Sequence, residues 1–310
     1  MVEHRIEGTA ATGASAAAAV AMPELRKSPD SPRRYLVFTS AGDRNVVRRW
    51  LGPDRDFDLW VVWYGKGNDV LEPDADYYLR RKGAKFPNLH YCYQRWPELL
   101  ERYDAIMVMD DDIHISAAKI DRLFELRKRH DLWALQPAFS PFGKISYGIT
   151  RVRRDFDMRF VDFIETTCPL FRTDKLLDFI KVYDPQLVGW GCDWWFLHSM
   201  GADLRDRVAI VDSIVCTNPR DWWKPGGARE IDRLQSTQKR RETWEWIQRT
   251  HGISIDGRGQ SEFRSIRRKG LSRWAMRVLG LAERFPVITV GTATRAWARF
   301  NASPLWRKRA

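Results

Sequence analysis

Short apolar runs that end at glycine or acidic turns are the feature that most restricts the fold of this chain. The clearest are YLVFT at residues 35–39, LWVVWY at 59–64 and AIMVM at 105–109. Apolar runs of this length bounded by turn residues are typical of buried strands, and segments with helical spacing lie between them. Strands that alternate with helices predict an α/β fold, with a mainly parallel, Rossmann-like sheet flanked by helices.

Weaker patterns extend this prediction along the chain. We predict further strands at residues 89–93, 133–136, 160–165 and 208–215. We predict helices at residues 46–51, 97–102, 117–130, 194–200 and 231–250. Ser116 is the expected N-cap of the third of these helices, because a serine hydroxyl can accept a hydrogen bond from a free backbone N–H of the first turn.

The two ends of the chain differ in composition from its centre. Residues 1–32 include the small-residue stretch GTAATGASAAAAVAM, which is too short to span a bilayer and lacks a basic segment before it, so we expect a flexible leader. Residues 256–310 are rich in arginine and have apolar residues at three- or four-residue steps, typical of a basic amphipathic helical tail. A helix that covers the main sheet would explain the tail equally well. The globular domain is predicted at residues 33–255.

The formal net charge of +12 favours an anionic partner. No recognisable nucleic-acid-binding module is present, so we expect no nucleic acid partner. The four cysteines form no CxxC pair and predict neither a zinc cluster nor a disulfide framework. We expect a cytoplasmic protein with reduced thiols, able to associate peripherally with an anionic membrane inner face through residues 262–310.

Three carboxylates, Asp110, Asp111 and Asp112, follow the apolar run 105–109 directly. Aligned carboxylates at the carboxyl end of a strand repel one another unless a proton, an arginine or a divalent cation relieves the repulsion. Mg²⁺ and Mn²⁺ prefer oxygen ligands and complete their coordination with water and substrate phosphates. Asp110 and Asp112 therefore predict a divalent-cation site, although a solvated turn that caps the next helix also explains them.

A second acidic motif is GWGCDWWF at residues 189–196. The two glycines permit close approach of a ligand, and Trp190 can stack on a sugar ring. Asp193 lies among apolar residues, a setting that raises the pKa of a carboxyl group and suits a general base. A tight turn in which Asp193 caps the following helix is the alternative explanation.

In this order, the segments YLVFTSAGDRN, WYG, KFPNL, YDAIMVMDDDI, FVDFIETTCPLF and GWGCDWWF resemble the domain-of-unknown-function family 707. The resemblance covers about residues 33–250, and that family resembles GT-A-fold glycosyltransferases. It implies a metal-dependent enzyme that moves a sugar from a nucleotide-sugar donor to a hydroxyl acceptor, either a glycan or a lipid-linked glycan.

The resemblance also implies roles for individual residues. Asp110 and Asp112 bind Mn²⁺ or Mg²⁺ at the donor phosphates, and Asp193 is the catalytic base. The implied donor contacts are Thr39, Gly42, Asp43, Arg44, Tyr64, Gly65, Lys85 and Asp111, and the implied acceptor contacts are Glu165 and Trp190. Ordinary turn residues, a solvated lysine and a structural carboxylate explain several of these positions equally well. Where many GT-A enzymes add a histidine metal ligand, this chain has Asn218, which offers a carbonyl oxygen instead.

Two other functions compete with sugar transfer. A catalytically degenerate sugar- or nucleotide-sugar-binding protein would keep the fold without turnover. A phosphohydrolase of the haloacid-dehalogenase type uses the first aspartate of a strand-end Asp-x-Asp as its nucleophile. That class usually has threonine or valine where His114 stands and has this strand at its N-terminus, so it fits the sequence less well.

Overall fold

The computed structural model describes residues 23–220, 230–254 and 261–269, together with residues 275 and 278. Its strands are β1 (Leu25–Lys27), β2 (Tyr35–Ala41), β3 (Phe57–Trp63), β4 (Tyr77–Arg80), β5 (Ala105–Val108), β6 (Ala134–Phe139), β7 (Phe156–Val161), β8 (Leu170–Arg172), β9 (Val208–Cys216) and β10 (Glu262–Arg267). Its α-helices are α1 (Lys85–Arg95), α2 (Pro97–Glu101), α3 (Ala117–Arg129), α4 (Thr173–Val182), α5 (Cys192–Ser199), α6 (Glu230–Leu234) and α7 (Thr237–Thr250).

The described strands form one sheet in the order β1-β4-β3-β2-β5-β8-β6-β9-β7-β10. Strand β2 pairs in parallel with both β3 and β5, whereas β8 runs antiparallel to its neighbours β5 and β6. The two edge strands, β1 and β10, each pair antiparallel with their neighbour. The sheet is therefore mixed: its parallel pairs lie within β4-β3-β2-β5 and between β6 and β9, so the prediction of a mainly parallel sheet is confirmed in part. A buried strand is an apolar run in the sequence whether it lies parallel or antiparallel to its neighbours. The sequence pattern therefore does not reveal the direction of a strand, which depends on the connections between strands.

Helices cover both faces of the sheet and create two cores. Along β2, Leu36 and Phe38 face the core beneath α1, α4 and α5, while Tyr35 and Val37 face the core beneath α3. Because successive side chains of a strand point to opposite faces, a strand covered on both faces is apolar at every position. All residues of β2 and β3 are buried, which explains the continuous apolar runs of the sequence.

Residues 89–93, which we predicted as a strand, lie inside α1. Phe86, Leu89 and Cys92 are buried at three-residue intervals, a spacing that fits one face of a helix. Pro87 lies in the first turn, where a proline removes no hydrogen bond of the helix. The prediction was wrong because a short aromatic stretch fits both periods.

Other predicted elements are present with shifted bounds. The predicted helix 117–130 is α3, and Ser116 is its N-cap residue, although the serine side chain makes no capping hydrogen bond. The predicted helix 231–250 is divided into α6 and α7, because Ser236 accepts a hydrogen bond from the Lys239 N–H at 3.2 Å and begins a new helix. Residues 46–51 contain a 3-10 turn at Val47–Trp50.

The ends of the chain are described in part. Leu25–Lys27, which we assigned to the leader, form the edge strand β1, and Glu262–Arg267, which we assigned to the tail, form the edge strand β10. Residues 1–22 and the apolar-basic pattern from Leu271 lie outside the described residues, apart from residues 275 and 278. Among the helices that the structure describes, none is both long and apolar enough to cross a membrane.

Candidate active site

A cleft of about 1270 Å³ lies at the carboxyl ends of β2, β3 and β5. A cavity of this size is large enough for a nucleotide sugar, since sites for drug-sized ligands are typically about 300–1000 Å³. All the predicted site residues except Thr39 line it: Gly42, Asp43, Arg44, Tyr64, Gly65, Lys85, Asp110, Asp111, Asp112, Glu165, Trp190, Asp193 and Asn218. The fold thus brings together residues that are up to 176 positions apart, from Gly42 to Asn218.

The structure does not bring Thr39 to this cleft. Its side chain is fully buried within β2, and its hydroxyl donates to the backbone carbonyl of Ser40. Ser40 lines the cleft instead, and its hydroxyl oxygen accepts a hydrogen bond from the Asn88 amide at 2.8 Å. Neighbouring residues of a strand point to opposite faces of the sheet. The sequence does not show which face borders the cleft, so it could not decide whether Thr39 or Ser40 lines it.

Asp111 joins the ends of three strands. Its Oδ2 accepts hydrogen bonds from the Gly42 N–H at 2.9 Å and from the Tyr64 hydroxyl at 3.3 Å, and its backbone carbonyl accepts from the Val46 N–H at 2.8 Å. Desolvation and the charges of Asp112 and Asp110 raise the pKa of Asp111 to about 8. Asp111 therefore holds together the loop after β2 and the end of β3 at one side of the cleft.

Asp43 ties the loop after β2 to the loop after β3. Its carboxylate accepts hydrogen bonds from the N–H groups of Lys66 at 3.0 Å and Gly67 at 2.9 Å, and these bonds hold the pKa of Asp43 below its usual value. Both oxygens are thus used within the protein. Asp43 thus fixes this loop at the cleft, and its contact with a donor stays a prediction.

Lys85 orients Asp110. Its ammonium group lies 2.7 Å from Asp110 Oδ1 and 2.9 Å from the Thr167 carbonyl, and it also donates to the Thr166 carbonyl. An ammonium group has three protons, so these three acceptors satisfy it. Lys85 thus anchors the first carboxylate of the cleft, and its contact with a donor phosphate stays a prediction.

Six further lysine and arginine residues line the cleft: Arg44, Lys66, Lys82, Lys144, Arg233 and Arg240. Lys82 donates to the Tyr64 carbonyl and lies 3.7 Å from Glu230 Oε1. A pocket that combines strand-end carboxylates with lysine and arginine side chains suits a phosphate group that arrives with a cation.

The cleft offers oxygen atoms of the kind that hard divalent cations such as Mg²⁺ and Mn²⁺ prefer as ligands. Asp110, Asp112 and Asn218 supply carboxylate and amide oxygens. His114 also lines the cleft, and its Nδ1 lies 2.8 Å from the Arg49 guanidinium. Because arginine only donates, Nδ1 accepts this hydrogen bond and the neutral ring carries its proton on Nε2. Within the part of the chain that the structure describes, no group of three His, Cys, Asp or Glu side chains is arranged to hold a metal ion. Substrate oxygens and water would have to complete the coordination.

Asp193 lies near the start of α5 and is only 3% exposed. Burial, together with the nearby charge of Glu165, raises the pKa of Asp193 to about 7. Hydrogen bonds from the Trp194 N–H, at 3.1 Å, and from the Tyr147 hydroxyl oppose that rise. A carboxyl group that titrates near neutral pH can accept a proton from a hydroxyl nucleophile.

The two predicted acceptor residues have different surroundings. Glu165 is buried, its two oxygens accept hydrogen bonds from Thr150 at 2.7 Å and Thr167 at 3.3 Å, and burial raises its pKa. These two hydrogen bonds fix the Glu165 carboxyl group within the protein, as is typical of a carboxylate with a structural role. Trp190 is 46% exposed at the rim, with the Arg241 guanidinium 6.0 Å from its ring centroid, so its ring is accessible to a sugar.

Sequence reasoning missed Tyr147. It lies in the loop before the 3-10 turn Gly148–Thr150, lines the cleft, and packs its ring edge-to-face against Trp194 of α5. No periodic pattern or motif surrounds it in the sequence. Only the packing of this loop against α5 reveals it.

No protein-family model and no curated protein matches the chain, so the resemblance to family 707 has no support from these comparisons. Solved structures that match include residues 1–349 of TarS from S. aureus in complex with UDP, at 10% identity and a TM-score of 0.43, covering 72% of this chain and 73% of that one. The same protein in complex with UDP-GlcNAc matches at 10% identity and a TM-score of 0.39, covering 72% and 74%. A197 from STIV matches at 13% identity and a TM-score of 0.38, covering 59% and 84%.

Proposed function

We propose that the protein is a glycosyltransferase that moves a sugar from a nucleotide-sugar donor to a hydroxyl group, with a divalent cation held at Asp110 and Asp112. The observation that carries the proposal is that one cleft contains both the strand-end carboxylates Asp110 to Asp112 and the buried Asp193, whose pKa lies near 7. With a bound divalent cation, the strand-end carboxylates suit a nucleoside diphosphate. The Asp193 carboxylate suits the deprotonation of an acceptor hydroxyl.

On the donor side, the protein's own residues prepare a site for a diphosphate. Lys85 fixes Asp110 through a 2.7 Å ion pair, and Asp111 holds the Gly42 loop against Tyr64. Mn²⁺ or Mg²⁺ bound by Asp110, Asp112 and Asn218 would offset the charge that develops on the departing diphosphate. Arg44 and Lys82 line the same cleft and add positive charge for the phosphates.

On the acceptor side, Asp193 receives the proton. The acceptor oxygen forms a bond to the anomeric carbon as the bond from that carbon to the phosphate oxygen breaks, and the hydroxyl proton passes to the Asp193 carboxylate. Trp190 offers a partly exposed ring on which a sugar can stack. A single displacement assisted by one base inverts the anomeric centre.

The donor site is tested by calorimetric titration of UDP, GDP and their common sugar conjugates, with and without Mn²⁺. We expect Asp110→Asn/Asp112→Asn to weaken nucleotide binding in Mn²⁺ by at least about 100-fold, because loss of outer-shell groups alone typically costs about 10–100-fold in metal affinity. Asp54 and Asp56 form a second, exposed Asp-x-Asp outside the cleft. The variant Asp54→Asn/Asp56→Asn is the matched control and should bind as the wild type does.

Two results would contradict this proposal. One is Mn²⁺-dependent nucleotide binding that survives in Asp110→Asn/Asp112→Asn. The other is a folded wild-type protein that binds none of the nucleotides.

A nucleotide-sugar-binding protein without turnover is the second candidate. Asn218 in the cleft favours it, because many GT-A enzymes have a histidine metal ligand where this chain has an asparagine. Cation-dependent binding of the donor, without release of nucleoside diphosphate from any donor and acceptor pair, would favour this candidate over the first.

Association with an anionic membrane surface, and hence a lipid-linked acceptor at the membrane inner face, is also a proposal. Since Glu262–Arg267 form β10 within the sheet, a truncation that tests the tail should begin at residue 270. Flotation of that truncated chain with anionic vesicles is the measurement, and unchanged vesicle binding would exclude the tail as the anchor.

A further inference from the structure

Asn88 of α1 joins the end of β2 to the loop after β4. Its side chain is fully buried, and its Oδ1 accepts a hydrogen bond from the Arg81 guanidinium. Its Nδ2 donates to the Gly83 carbonyl at 3.0 Å and to the Ser40 hydroxyl at 2.8 Å. Because a guanidinium only donates and a carbonyl only accepts, the first two partners fix which end of the amide is the donor. The Ser40 oxygen is therefore the acceptor in its hydrogen bond with Asn88.

The Ser40 hydroxyl keeps its own proton for another partner. Ser40 is only 7% exposed, and within the described residues the Asn88 amide is the one hydrogen-bond partner of its side chain. A hydroxyl that accepts a hydrogen bond still has one proton to donate. Ser40 lines the cleft, so this proton is available to an acceptor atom of a bound molecule. A ligand that supplies such an atom gains affinity, because a nearly buried donor left without an acceptor costs free energy.

The first turn of α1 arranges two polar groups side by side on the floor of the cleft. Lys85 and Asn88 are three residues apart, a spacing that puts both side chains on one face of the helix. Lys85 holds Asp110 through the 2.7 Å ion pair, and Asn88 holds Ser40. Strand β2 pairs in parallel with β5, in a register that places Ser40 level with Asp110. The Ser40 hydroxyl therefore lies beside the first carboxylate of the proposed donor site.

The strand order places Ser40 and Asp193 on opposite sides of Asp110. Strand β8 lies on the other side of β5 from β2. Helix α5, which carries Asp193, packs against β8 through the Phe196 and Phe171 rings, whose centroids are 5.0 Å apart. As the base, Asp193 must lie within hydrogen-bond reach of the acceptor hydroxyl that attacks the sugar. The sugar therefore extends from Asp110 towards Asp193, and the nucleotide lies on the side of Ser40.

We propose that the Ser40 hydroxyl, with its proton directed into the cleft by the Asn88 amide, donates a hydrogen bond to an oxygen of the nucleotide part of the donor. This inference rests on the proposed function, because it takes the cleft as the donor site. It goes further by naming a residue that binds the nucleotide. It also names Asn88, which does not line the cleft, as the residue that positions Ser40.

Ser40→Ala removes the hydroxyl and keeps the Cβ. By calorimetric titration in Mn²⁺, we expect the Kd of UDP to rise about 3–10-fold, the loss expected for one hydrogen bond. The Kd values of UDP-sugar conjugates should rise by the same factor, because the bond is to the nucleotide. GDP and its conjugates take the place of these probes if the wild type binds guanine nucleotides. A rise shared by the nucleoside assigns the acceptor oxygen to the ribose or base, and a rise confined to the mono- and diphosphate assigns it to a phosphate.

Ser199→Ala is the matched control, because the Ser199 hydroxyl donates to the Phe196 carbonyl at 2.8 Å and lies outside the cleft. Asn88→Asp tests the positioning role. An aspartate beside the Arg81 guanidinium is ionised and only accepts, so the Ser40 proton would turn towards it and away from the cleft. We expect this variant to lose the same nucleotide affinity as Ser40→Ala, and the double variant to lose no more. A purely structural role of Asn88 would instead add its loss to that of Ser40→Ala.

Unchanged UDP affinity in a folded Ser40→Ala protein would overturn this inference and leave the proposed function in place. A loss seen only with the sugar conjugates would also overturn it, because Ser40 would then contact the sugar. A folded wild type that binds none of the nucleotides would contradict the proposed function itself, so the two failures are distinguishable.

Discussion

Asp193→Asn should lower kcat for sugar transfer by about 10²–10⁴-fold while the donor Kd changes by less than about threefold. Asparagine has nearly the shape of aspartate but cannot accept the proton of the acceptor hydroxyl. In the wild type, the pKa of Asp193 is raised to about 7, so kcat should rise with pH through that value. Steady-state kinetics of both proteins across this range is the measurement.

The stability of this variant separates a lost base from a lost fold. Burial raises the folded-state pKa of Asp193 above its ordinary value, so the folded protein binds this proton more tightly than the unfolded chain does. The ionised carboxylate therefore costs stability, and the cost grows as pH rises towards the folded-state pKa. At about pH 8, Asp193→Asn should have a free energy of unfolding equal to the wild type or higher by roughly 1–3 kcal/mol.

Asp178→Asn, at an exposed position of α4, is the control and should change neither kcat nor its pH profile. Unfolding in denaturant at acidic and basic pH checks the stability argument. A variant Asp193→Asn that is folded and transfers sugar at the wild-type rate would remove Asp193 from the mechanism.

Gly191→Ala should lower the free energy of unfolding by about 2–5 kcal/mol. Gly191 precedes α5 with a φ of 92°, a left-handed conformation that disfavours a side chain. A Cβ there would also lie 2.3 Å from the ring of Trp244, which is buried against α5. Equilibrium denaturation measures the loss, which combines backbone strain with overpacking.

Gly201→Ala isolates the backbone contribution. Gly201 has a φ of 96°, close to that of Gly191, but a Cβ there would meet no atom within 4 Å. Its expected loss is about 1–2 kcal/mol, the cost of the left-handed conformation alone. Equal losses in the two variants would show that Trp244 moves aside and that the close packing of this loop on α7 is unimportant.

The sequence revealed the parts of the fold whose residues are buried on both faces. Strands β2, β3 and β5 contain apolar runs, interrupted only by Thr39, Ser40 and Asp58, so their existence and approximate ends were predictable. The antiparallel strand β8 was not predicted, because it has only three residues. Residues 89–93 became part of a helix because packing against the sheet decided between two periods that the sequence alone permits.

The location of the site was more predictable than the contacts within it. Asp110 to Asp112 follow a strand of an α/β sheet, and such strand ends converge on one edge. The partners of Lys85 were not predictable, since two of them are backbone carbonyls that follow Glu165, some 80 residues along the chain. Tyr147 was missed for a similar reason, because its packing against the distant residues Phe163 and Trp194 leaves no local pattern in the sequence.

Amide hydrogen exchange on the full chain, with and without a saturating nucleotide sugar and Mn²⁺, tests most directly whether this cleft is the donor site. We predict slower exchange in three segments, residues 41–47 after β2, 63–67 after β3 and 108–114 after β5, which all border the cleft. Protection of these three segments together would locate the donor at the carboxyl ends of the central strands. Bound nucleotide that leaves all three unprotected, or that protects only the β7–β10 edge, would contradict the account.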